Sequence, residues 1–476
     1  MIAKQLYEYQ NTLTKKQKKE MGIVYTPMKI VDYINKKVLS LWKKDYPPKV
    51  IDFSSGTGVF LIDMCEKICE RYNLTPREVY EDYIYANDLD EDATELFIKH
   101  TQCPNVSNED GLIVNIKEYD IIVGNPPYIK IQSLSSESRE NLRKFIWCKD
   151  GNSDIYIGMC QRIMTSDKIF GFICPNSWMR SNTGVKMVDY ILKNQILSEL
   201  IDFRDKLVFP DVGAYCTIMI GNKDKKDDYL FSNDIDTIKE TKIYSLSNKQ
   251  DFYLFSDEIK FIESISEKET LLLDACSFKV GLATLSDKSY YLPNCIEEKD
   301  YYKSGKNMIE KAITRKCYKA GKLSRYDKEA KDRIVFPYDE NLEPYTEEHL
   351  ISEFPEAHKY LESKKDLLLK RDSGKFKTLV DKGKAAWFQY GRKQGLSLSD
   401  NKILISPIIT KKFFMPIDSG LFISGYCLIP NKGYEIDDII KIIDCDDFRK
   451  WVSLFGSPKQ GGYYSISKNA INKYKF

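Results

Sequence analysis

The first half of the chain alternates short apolar runs with longer amphipathic stretches, and this alternation restricts the fold more than any other feature. The apolar runs have the length and composition of buried strands, and apolar residues recur at helical spacing between them, as from Phe60 to Arg71. The predicted strands are Val50–Phe53, Tyr83–Ala86, Tyr119–Val123, Ile169–Cys174, Leu200–Phe203 and Tyr215–Ile220. Strands that alternate with helices form a mostly parallel sheet with helices on both faces. The sequence therefore predicts an α/β domain whose sixth strand closes the sheet.

The second half of the chain has a different pattern. The charged segment Asn222–Asp228 ends the alternation, and we interpret it as a surface loop near a domain boundary. Residues from about 230 to 270 are predicted to form a connecting segment that contains both strand and helix. Irregular strands, aromatic clusters and basic loops follow, with one long helix predicted over Glu347–Lys370. We expect a first domain over residues 1–245 and a second over residues 246–476.

Composition excludes several classes of protein. Hydrophobic residues make up 42% of the 476 residues, which is enough for real cores, but no apolar run reaches the length of a membrane span. The polar N-terminal segment does not resemble a signal peptide. Twelve cysteines are scattered without CxxC pairs, and only three histidines accompany them. We therefore expect reduced cysteines in a cytoplasmic protein, and no zinc site.

The charge is unevenly distributed along the chain. The whole sequence contains 72 Lys+Arg and 70 Asp+Glu, and residues 271–476 contain 36 and 28 of these, which gives +8. The remaining 36 and 42 give residues 1–270 a net charge of −6. A basic second half suggests contact with a polyanion, although an ordinary solvated surface is the alternative interpretation.

The tetrapeptide Asn125-Pro126-Pro127-Tyr128 directly follows the third predicted strand. In open α/β sheets, ligands bind at the carboxyl ends of strands. Two consecutive prolines stiffen the backbone and remove its donors, so the segment presents an amide side chain, a rigid carbonyl and an aromatic ring. These groups suit a planar exocyclic amino group, because two acceptors hold its hydrogens while the aromatic ring stacks. The alternative is a proline-rich turn without a chemical role.

A glycine-containing loop, Asp52–Phe60, joins the first predicted strand to the first helix. Gly56 and Gly58 allow a ligand to approach the backbone closely. The loop lacks the lysine of a P-loop and the third glycine of a dinucleotide site, which favours another adenosine cofactor over NAD. Asp88 ends the second strand, where an acid can hold ribose hydroxyls, and the segment Asn108–Asp110 could offer a carboxylate to an adenine amino group. S-adenosylmethionine fits this pattern and supplies a methyl that an activated amino group would attack.

Taken in order, these motifs resemble those of the gamma-class, TaqI-like N6-adenine DNA methyltransferases. The matching segments are Gly22–Pro27, Asp52–Phe60, Asp88–Leu89, Asp110, Asn125–Tyr128, Ser153–Tyr156, Gly171–Trp178 and Phe209–Pro210. The resemblance implies a Rossmann-like methyltransferase domain, with a mostly parallel sheet and helices on both faces. It also implies a mixed α+β C-terminal target recognition domain, S-adenosylmethionine as cofactor and double-stranded DNA as partner.

The resemblance also implies a role for each motif residue. The catalytic residues would be Asn125, Pro126, Pro127 and Tyr128, with Tyr128 and Phe209 against the target base. The implied cofactor-binding residues are Thr26, Asp52, Ser54, Gly56, Gly58, Asp88, Leu89, Asp110, Asn125 and Pro127. Two positions depart from the family pattern, because Met159 stands where many relatives have an aromatic residue and Ser55 replaces a common Cys.

Later segments resemble TaqI-like specificity domains more loosely. These segments are Gly281–Thr284, Tyr290–Tyr291, Trp387–Arg392 and Gly461–Tyr464. A basic run with interleaved tyrosines lies between them, and such residues can neutralise phosphates or read guanine. The predicted DNA-binding residues are Arg315, Lys316, Lys319, Arg325, Arg392, Tyr463 and Lys468. For each of them, a solvated cation or a core aromatic residue is the alternative.

Other functions remain open on the sequence alone. The same tetrapeptide suits an amino methyltransferase that acts on RNA adenine or on a protein glutamine. The chain could also be the methylating component of a restriction-modification system whose nuclease is encoded separately. Only about 21 residues precede Gly22, too few for a fused nuclease domain at that end. A catalytically inactive DNA-binding module is the remaining alternative.

Overall fold

The computed structural model describes residues 26–209, 214–226, 228–242, 258–326, 330–397, 400–459 and 461–476. Contacts divide the chain into two units, Met1–Ile259 and Lys260–Phe476. The predicted boundary between residues 245 and 246 lies outside the described residues. Within the described parts of the chain, no helix is long and apolar enough to cross a bilayer.

The first unit is built on a nine-stranded sheet in the order β3-β2-β1-β4-β5-β7-β6-β8-β9. Its strands are β1 (Val50–Asp52), β2 (Ile84–Asn87), β3 (Val106–Ser107), β4 (Ile121–Gly124), β5 (Ile169–Pro175), β6 (Leu197–Asp202), β7 (Cys216–Gly221), β8 (Asp228–Asp234) and β9 (Thr237–Lys242). The pairings β2–β3, β1–β2, β1–β4, β4–β5 and β6–β8 are parallel. The predicted mostly parallel α/β sheet is therefore confirmed.

Helices cover both faces of this sheet. The helices are α1 (Met28–Leu41), α2 (Val59–Tyr72), α3 (Pro76–Asp82), α4 (Glu91–Thr101), α5 (Ser136–Arg143), α6 (Ile155–Met164) and α7 (Val185–Asn194). Successive strand residues point to opposite faces, so Ile121 and Val123 pack with α1 and α2, whereas Ile122 packs with α6 and α7. Because both faces are covered, the strands read as continuous apolar runs.

The expectation that the sixth predicted strand closes the sheet is wrong. This strand, β7, runs antiparallel between β5 and β6, and all six of its residues are buried. A strand that is apolar on both faces belongs in the interior of a sheet, and β8 and β9 extend the sheet beyond it. The charged segment before β8 is thus a connection within the first unit.

The second unit contains several small sheets with helices between them, which confirms its predicted mixed α+β character. The sheet orders are β10-β21-β17-β19, β11-β16-β15-β20, β12-β13-β14 and β18-β23-β22. Its strands are β10 (Cys276–Val280), β11 (Tyr291–Leu292), β12 (Ile296–Glu297), β13 (Tyr301–Ser304), β14 (Asn307–Glu310), β15 (Thr314–Lys319), β16 (Arg333–Val335), β17 (Lys402–Ile405), β18 (Ile408–Ile409), β19 (Phe414–Ile417), β20 (Leu421–Ile423), β21 (Tyr426–Pro430), β22 (Pro458–Lys459) and β23 (Tyr463–Ser465).

Short helices complete the second unit. They are α8 (Ile259–Ser266), α9 (Leu272–Ala275), α10 (Asp287–Tyr290), α11 (Glu347–Glu353), α12 (Pro355–Glu362), α13 (Lys365–Leu369), α14 (Lys375–Asp381), α15 (Ile436–Ile443), α16 (Asp446–Phe455) and α17 (Lys468–Lys473). The single long helix predicted over Glu347–Lys370 is wrong, because this segment forms three helices. Pro355 cannot donate a backbone hydrogen bond, so one helix ends before it and the next begins with it.

Candidate active site

The candidate site lies where the strand order of the first unit reverses. The chain passes from β1 outward to β2 and β3, and then returns to form β4 on the other side of β1. These strands are parallel, so the loops after β1, β2 and β4 meet at the same edge of the sheet. A crevice at such a reversal is where open α/β sheets bind ligands.

The loop after β1 depends on two glycines with left-handed backbone. Gly56 has φ +51° and Gly58 has φ +79°, conformations that other residues rarely adopt. A Cβ at Gly58 would lie 2.2 Å from the ring of Phe97 on α4, whereas nothing lies within 4 Å of a Cβ at Gly56. Gly58 thus fixes how α2 packs on α4, and Gly56 leaves backbone open to a ligand.

Asp52 ends β1 against the last residue of β4. Its Oδ1 accepts a hydrogen bond from the backbone N–H of Ser54 at 3.0 Å. A Cβ at Gly124, whose φ is +145°, would lie 2.5 Å from that same oxygen. Burial is the main reason why the pKa of Asp52 is raised to about 8; the nearby Asp88 carboxylate also raises this pKa, and the hydrogen bond from Ser54 opposes the shift. The two strand ends approach closely because one has no side chain.

Asp88 connects the loop after β2 to the glycine loop. Its Oδ2 accepts from the Gly56 N–H at 2.7 Å and its Oδ1 accepts from the Asp90 N–H at 2.9 Å. Burial raises the pKa of this carboxyl, although these backbone donors oppose the shift. The neighbouring Leu89 side chain is 62% exposed. An exposed leucine beside a buried acid is an arrangement that suits an adenosine ring system.

Asp110 lies at the same edge of the sheet as Asp52 and Asp88, because its neighbours Glu109 and Gly111 contact the loops there. The buried Asn87 amide donates to the carbonyls of Phe53 at 3.1 Å and Glu109 at 2.9 Å, and so joins the loops after β1 and β3. A Cβ at Gly111 would lie 2.7 Å from the Phe53 carbonyl oxygen. Asp110 itself accepts from the Leu112 N–H at 2.9 Å, which fixes its carboxylate in a turn.

The tetrapeptide after β4 lies against the glycine loop. The Asn125 side-chain nitrogen donates to Thr26 Oγ1 at 3.1 Å, and the Ser54 hydroxyl donates to the Asn125 carbonyl at 3.5 Å. Pro126 is buried, while Asn125 and Pro127 are half-buried. The structure thereby brings together Thr26, the glycine loop and the tetrapeptide, which lie far apart in sequence.

An aromatic pair forms the other part of the site. The rings of Tyr128 and Phe209 meet edge to face with centroids 6.4 Å apart. The Tyr128 hydroxyl lies 3.7 Å from the Cys216 Sγ on β7. Burial raises the pKa of Tyr128 well above its ordinary value, so the phenol stays protonated. A neutral, half-buried ring on a rigid backbone is suited to stacking and not to proton transfer.

Sequence reasoning missed three residues of the site. Gly124 could have been found, because it stands directly before the tetrapeptide, and Asn87 interrupts an apolar strand just before Asp88. Arg162 on α6 gave no such signal. Its guanidinium donates to the Gly111 carbonyl and lies 5.6 Å from the ring centroid of Phe53. Burial lowers the pKa of Arg162 to about 10, against the carboxylates of Asp110 and Glu109.

In the second unit, several predicted DNA-binding residues already have partners. The Arg315 guanidinium donates to the carbonyls of Ala312 and Thr314 at 2.8 and 2.9 Å. Arg325 donates to Asn294 Oδ1 at 2.9 Å and lies 3.7 Å from Asp332. These contacts fix the two arginines within their own unit.

The other predicted DNA-binding residues lie on different elements. Lys316 and Lys319 are half-buried on β15, and the Lys319 ammonium lies 5.8 Å from the Tyr291 ring centroid. Arg392 is exposed, Tyr463 on β23 is 48% exposed, and the exposed Lys468 begins α17. Lys319 lines a groove in the second unit, and Tyr463 and Lys468 are not among the residues that line it.

Part of the chain matches a known protein family. Residues 13–209 match the family described as Eco57I restriction-modification methylase. The chain is 25% identical over 389 residues to the type II restriction enzyme and methyltransferase RM.Eco57I of Escherichia coli. That alignment covers 73% of this chain and only 39% of the relative. The chain is also 26% identical to the type II methyltransferase M.HincII of Haemophilus influenzae, over 75% of this chain and 68% of the relative.

A solved structure shares the fold over nearly the whole chain. The type IIL restriction-modification enzyme MmeI, solved in complex with DNA, superposes with a TM-score of 0.63 at 11% identity. The superposition covers 96% of this chain and 69% of that chain. At this identity the likeness concerns the fold alone.

Proposed function

We propose that this protein is a site-specific DNA methyltransferase that transfers a methyl group from S-adenosylmethionine to the N6 atom of adenine in duplex DNA. The observation that carries the proposal is the position of Asn125–Tyr128 at the strand-order reversal, in hydrogen-bond contact with the glycine loop through Ser54. The relatives named as type II methyltransferases support the substrate class. The more specific choice of adenine rests on the tetrapeptide.

The residues at this edge fit S-adenosylmethionine. Gly56 leaves its backbone open, and among the described residues the buried Ser55 hydroxyl has no hydrogen-bond partner. The residues that would hold the cofactor are Thr26, Asp52, Ser54, Gly56, Gly58, Asp88, Leu89, Asp110, Asn125 and Pro127. Asp88 would accept from ribose hydroxyls while Leu89 packs on the adenine ring. When bound, the cofactor supplies a methyl group on a positively charged sulfur.

The chain's own residues would prepare the amino group for attack. The Asn125 amide nitrogen donates to Thr26, which directs the amide oxygen away from that hydroxyl. This oxygen and the Pro126 carbonyl would accept the two N6 hydrogens, shifting the nitrogen towards tetrahedral geometry and localising its lone pair. Acceptors held in place stabilise the positive charge that develops on nitrogen. The proton becomes acidic only as the new bond forms, so no strong base is needed first.

The aromatic pair would hold the target base. An adenine inside a duplex cannot reach this crevice, so the base must rotate out of the stack. Tyr128 would stack on the flipped ring, with Phe209 against its other side or edge. Orientation of the amino nitrogen contributes much of the rate in such reactions. The second unit would select the sequence, because residues 271–476 carry the excess of positive charge.

Long-read sequencing tests the whole proposal. The protein is expressed in a methylation-free host beside Asn125→Ala, with Asn115→Ala as the matched control on an exposed asparagine of the same unit. We expect N6-methyladenine at one short motif for the unchanged protein and the control. Asn125→Ala should lose activity by at least about a hundredfold while retaining DNA binding.

Two results would contradict the proposal. Near-normal methylation by Asn125→Ala would exclude the assigned mechanism. An unmodified genome, from a folded protein that binds S-adenosylmethionine, would move the substrate to RNA adenine or protein glutamine.

A further inference from the structure

The second unit contains a groove of about 690 Å³ that none of the proposed chemistry uses. Residues Val280–Lys288 form much of its lining, and the segment Ser424–Tyr426 contributes another part. Pro407 and Lys319 complete it. The groove therefore combines an apolar surface with two lysines.

Leu285 has an unusual backbone and an unusual exposure in this groove. Its φ is +56°, a left-handed conformation that is uncommon for residues other than glycine and asparagine. Its side chain is 42% exposed, so full burial does not offset the backbone strain. Strained residues persist only where the surroundings impose them, and they cluster at functional sites.

Hydrogen bonds impose the conformation of the loop around Leu285. Thr284 Oγ1 accepts from the Ser286 N–H at 3.1 Å and donates to Asp287 Oδ1 at 2.5 Å. The Ser424 hydroxyl donates to Asp287 Oδ2 at 3.0 Å. Both carboxylate oxygens of Asp287 are thus engaged within the protein, and the loop is held from both sides.

A buried arginine anchors the same loop from below. Arg371 is only 4% exposed, and its Nη1 donates to the Thr284 carbonyl at 3.0 Å and the Gln389 carbonyl at 2.8 Å. The Gly391 N–H also donates to the Thr284 carbonyl, at 3.2 Å. A Cβ at Gly391 would lie 2.5 Å from the Leu285 side chain, so the leucine rests on bare backbone. The position of Leu285 is therefore fixed by the hydrogen bonds to Thr284 and by the close approach of Gly391.

The charges around the groove complement a polyanion. Within the described part of the chain, Lys288, Lys319 and Arg392 form no ion pair. Arg392 is tied to the loop, because its backbone N–H donates to the Ala283 carbonyl at 3.1 Å. Asp287 is the one acid among the described residues that line the groove, and its carboxylate accepts hydrogen bonds from Thr284 and Ser424. The three cations would suit DNA phosphates, and the exposed Leu285 side chain beside them would suit the edge of a base.

We infer that Leu285 reads duplex DNA by packing on the C5 methyl group of a thymine outside the target base pair. The inference rests on the proposed function and names the residue that reads one position of its site. The major-groove edges of the bases present one apolar group, the thymine methyl, and a leucine has no hydrogen-bonding atoms to read anything else. Lys288, Lys319 and Arg392 would contact phosphates and carry no sequence information.

Deoxyuridine substitution tests the contact directly, because it removes only the methyl group. Duplexes carrying the methylated motif from the sequencing experiment have each thymine replaced singly, and binding is measured for the unchanged protein, Leu285→Gly and Leu285→Met. Glycine adopts positive φ without strain, so Leu285→Gly should keep its thermal stability. Leu367→Gly, at a 60% exposed leucine on α13, is the control for loss of an exposed apolar side chain.

The expected result is a loss of about tenfold in affinity at one thymine that does not pair with the target adenine. Leu285→Gly should be insensitive to that replacement, whereas Leu285→Met and Leu367→Gly should remain sensitive. The inference is overturned if no single replacement matters, or if Leu285→Gly retains the same loss. It is also overturned if the motif has no thymine outside the target pair. A genome without any methylated motif would instead reject the proposed function.

Discussion

At the scale of single residues, the candidate site is a set of buried acids held by backbone donors. Asp52 and Asp88 both lie at strand ends, and the glycine loop between them donates to each carboxylate. Burial nevertheless raises the pKa of both groups. A cation beside two carboxyl groups with raised pKa values would favour their ionised forms, whereas an anion would oppose ionisation. The site is therefore easier to fill with a positively charged ligand than with an anion.

The raised pKa of Asp52 predicts a pH dependence of stability. The folded protein holds this proton up to a pKa of about 8, whereas the unfolded chain releases it near the ordinary value. The contribution of Asp52 to the free energy of unfolding is fully present below the pKa that it has in the unfolded chain. This contribution is lost as the pH rises through the pKa in the folded protein. The stability of the cofactor-free protein should therefore fall on the order of 1 kcal/mol per pH unit between about pH 4 and pH 8 from this group.

Urea unfolding across that pH range, compared with Asp52→Asn, measures the effect. The amide does not titrate and can still accept from Ser54, so the variant should lack this part of the slope. Parallel pH profiles for the two proteins would show that Asp52 is ionised in the fold. Asp88 is present in both proteins and cancels in the difference.

The sequence predicted these residues unevenly, for physical reasons. Asn125–Tyr128 and Gly56 stand next to strand-like runs, and local composition is enough to find them. The Arg162 contact with Gly111 is invisible in sequence, because it joins residues 51 positions apart through a helix. Leu285 was named in no motif, since its significance lies in its φ angle and its exposure.

At the scale of elements, strand order and strand ends matter more than the strands themselves. The apolar runs predicted six strands, but apolar composition does not reveal that β7 inserts between β5 and β6. That order depends on long-range pairing. The two-residue β3 is too short to show any periodicity. Pro355 was a visible helix breaker, and the pattern of lysines and leucines around it misled the prediction.

The junction between β4 and the tetrapeptide gives a prediction at this scale. Gly124→Ala would place a Cβ 2.5 Å from the Asp52 carboxylate and should displace Asn125. A shift of about 1 Å in a positioned group can reduce turnover about a hundredfold. We expect such a loss in a methyl-transfer assay, with the protein still folded.

Gly433→Ala is the matched control for this prediction. Gly433 also has positive φ, at +95°, but nothing lies within 4 Å of its Cβ position. Both variants therefore carry backbone strain, and only one carries the contact with Asp52. Equal turnover in the two variants would show that the close approach of the strand ends is unimportant.

At the scale of the whole molecule, the two halves of the sequence differ in charge. Residues 1–270 carry −6 and residues 271–476 carry +8. An acidic half disfavours contact with DNA phosphates, and a basic half favours it. This division of roles stays a prediction from net charge, and net charge could not locate the groove, which depends on loops far apart in sequence.

The salt dependence of DNA binding tests this division. Lys319→Ala should weaken binding about equally on all sequences and reduce the slope of log K against log salt by about one. Lys43→Ala, at an exposed lysine of the first unit, should leave the slope unchanged. Fluorescence anisotropy at several salt concentrations provides both slopes. An unchanged slope for Lys319→Ala would remove this lysine from the DNA contacts.

The order of the two units along the chain affects how the protein is made. The nine-stranded sheet is complete at Lys242, and the groove residues all follow it. Domains generally fold as units during synthesis, the N-terminal one first. A growing chain on the ribosome would therefore assemble the strand-order reversal before the residues proposed to select a sequence exist. Under the proposed function, truncated products of interrupted translation would hold the cofactor and would lack the residues proposed to select a sequence.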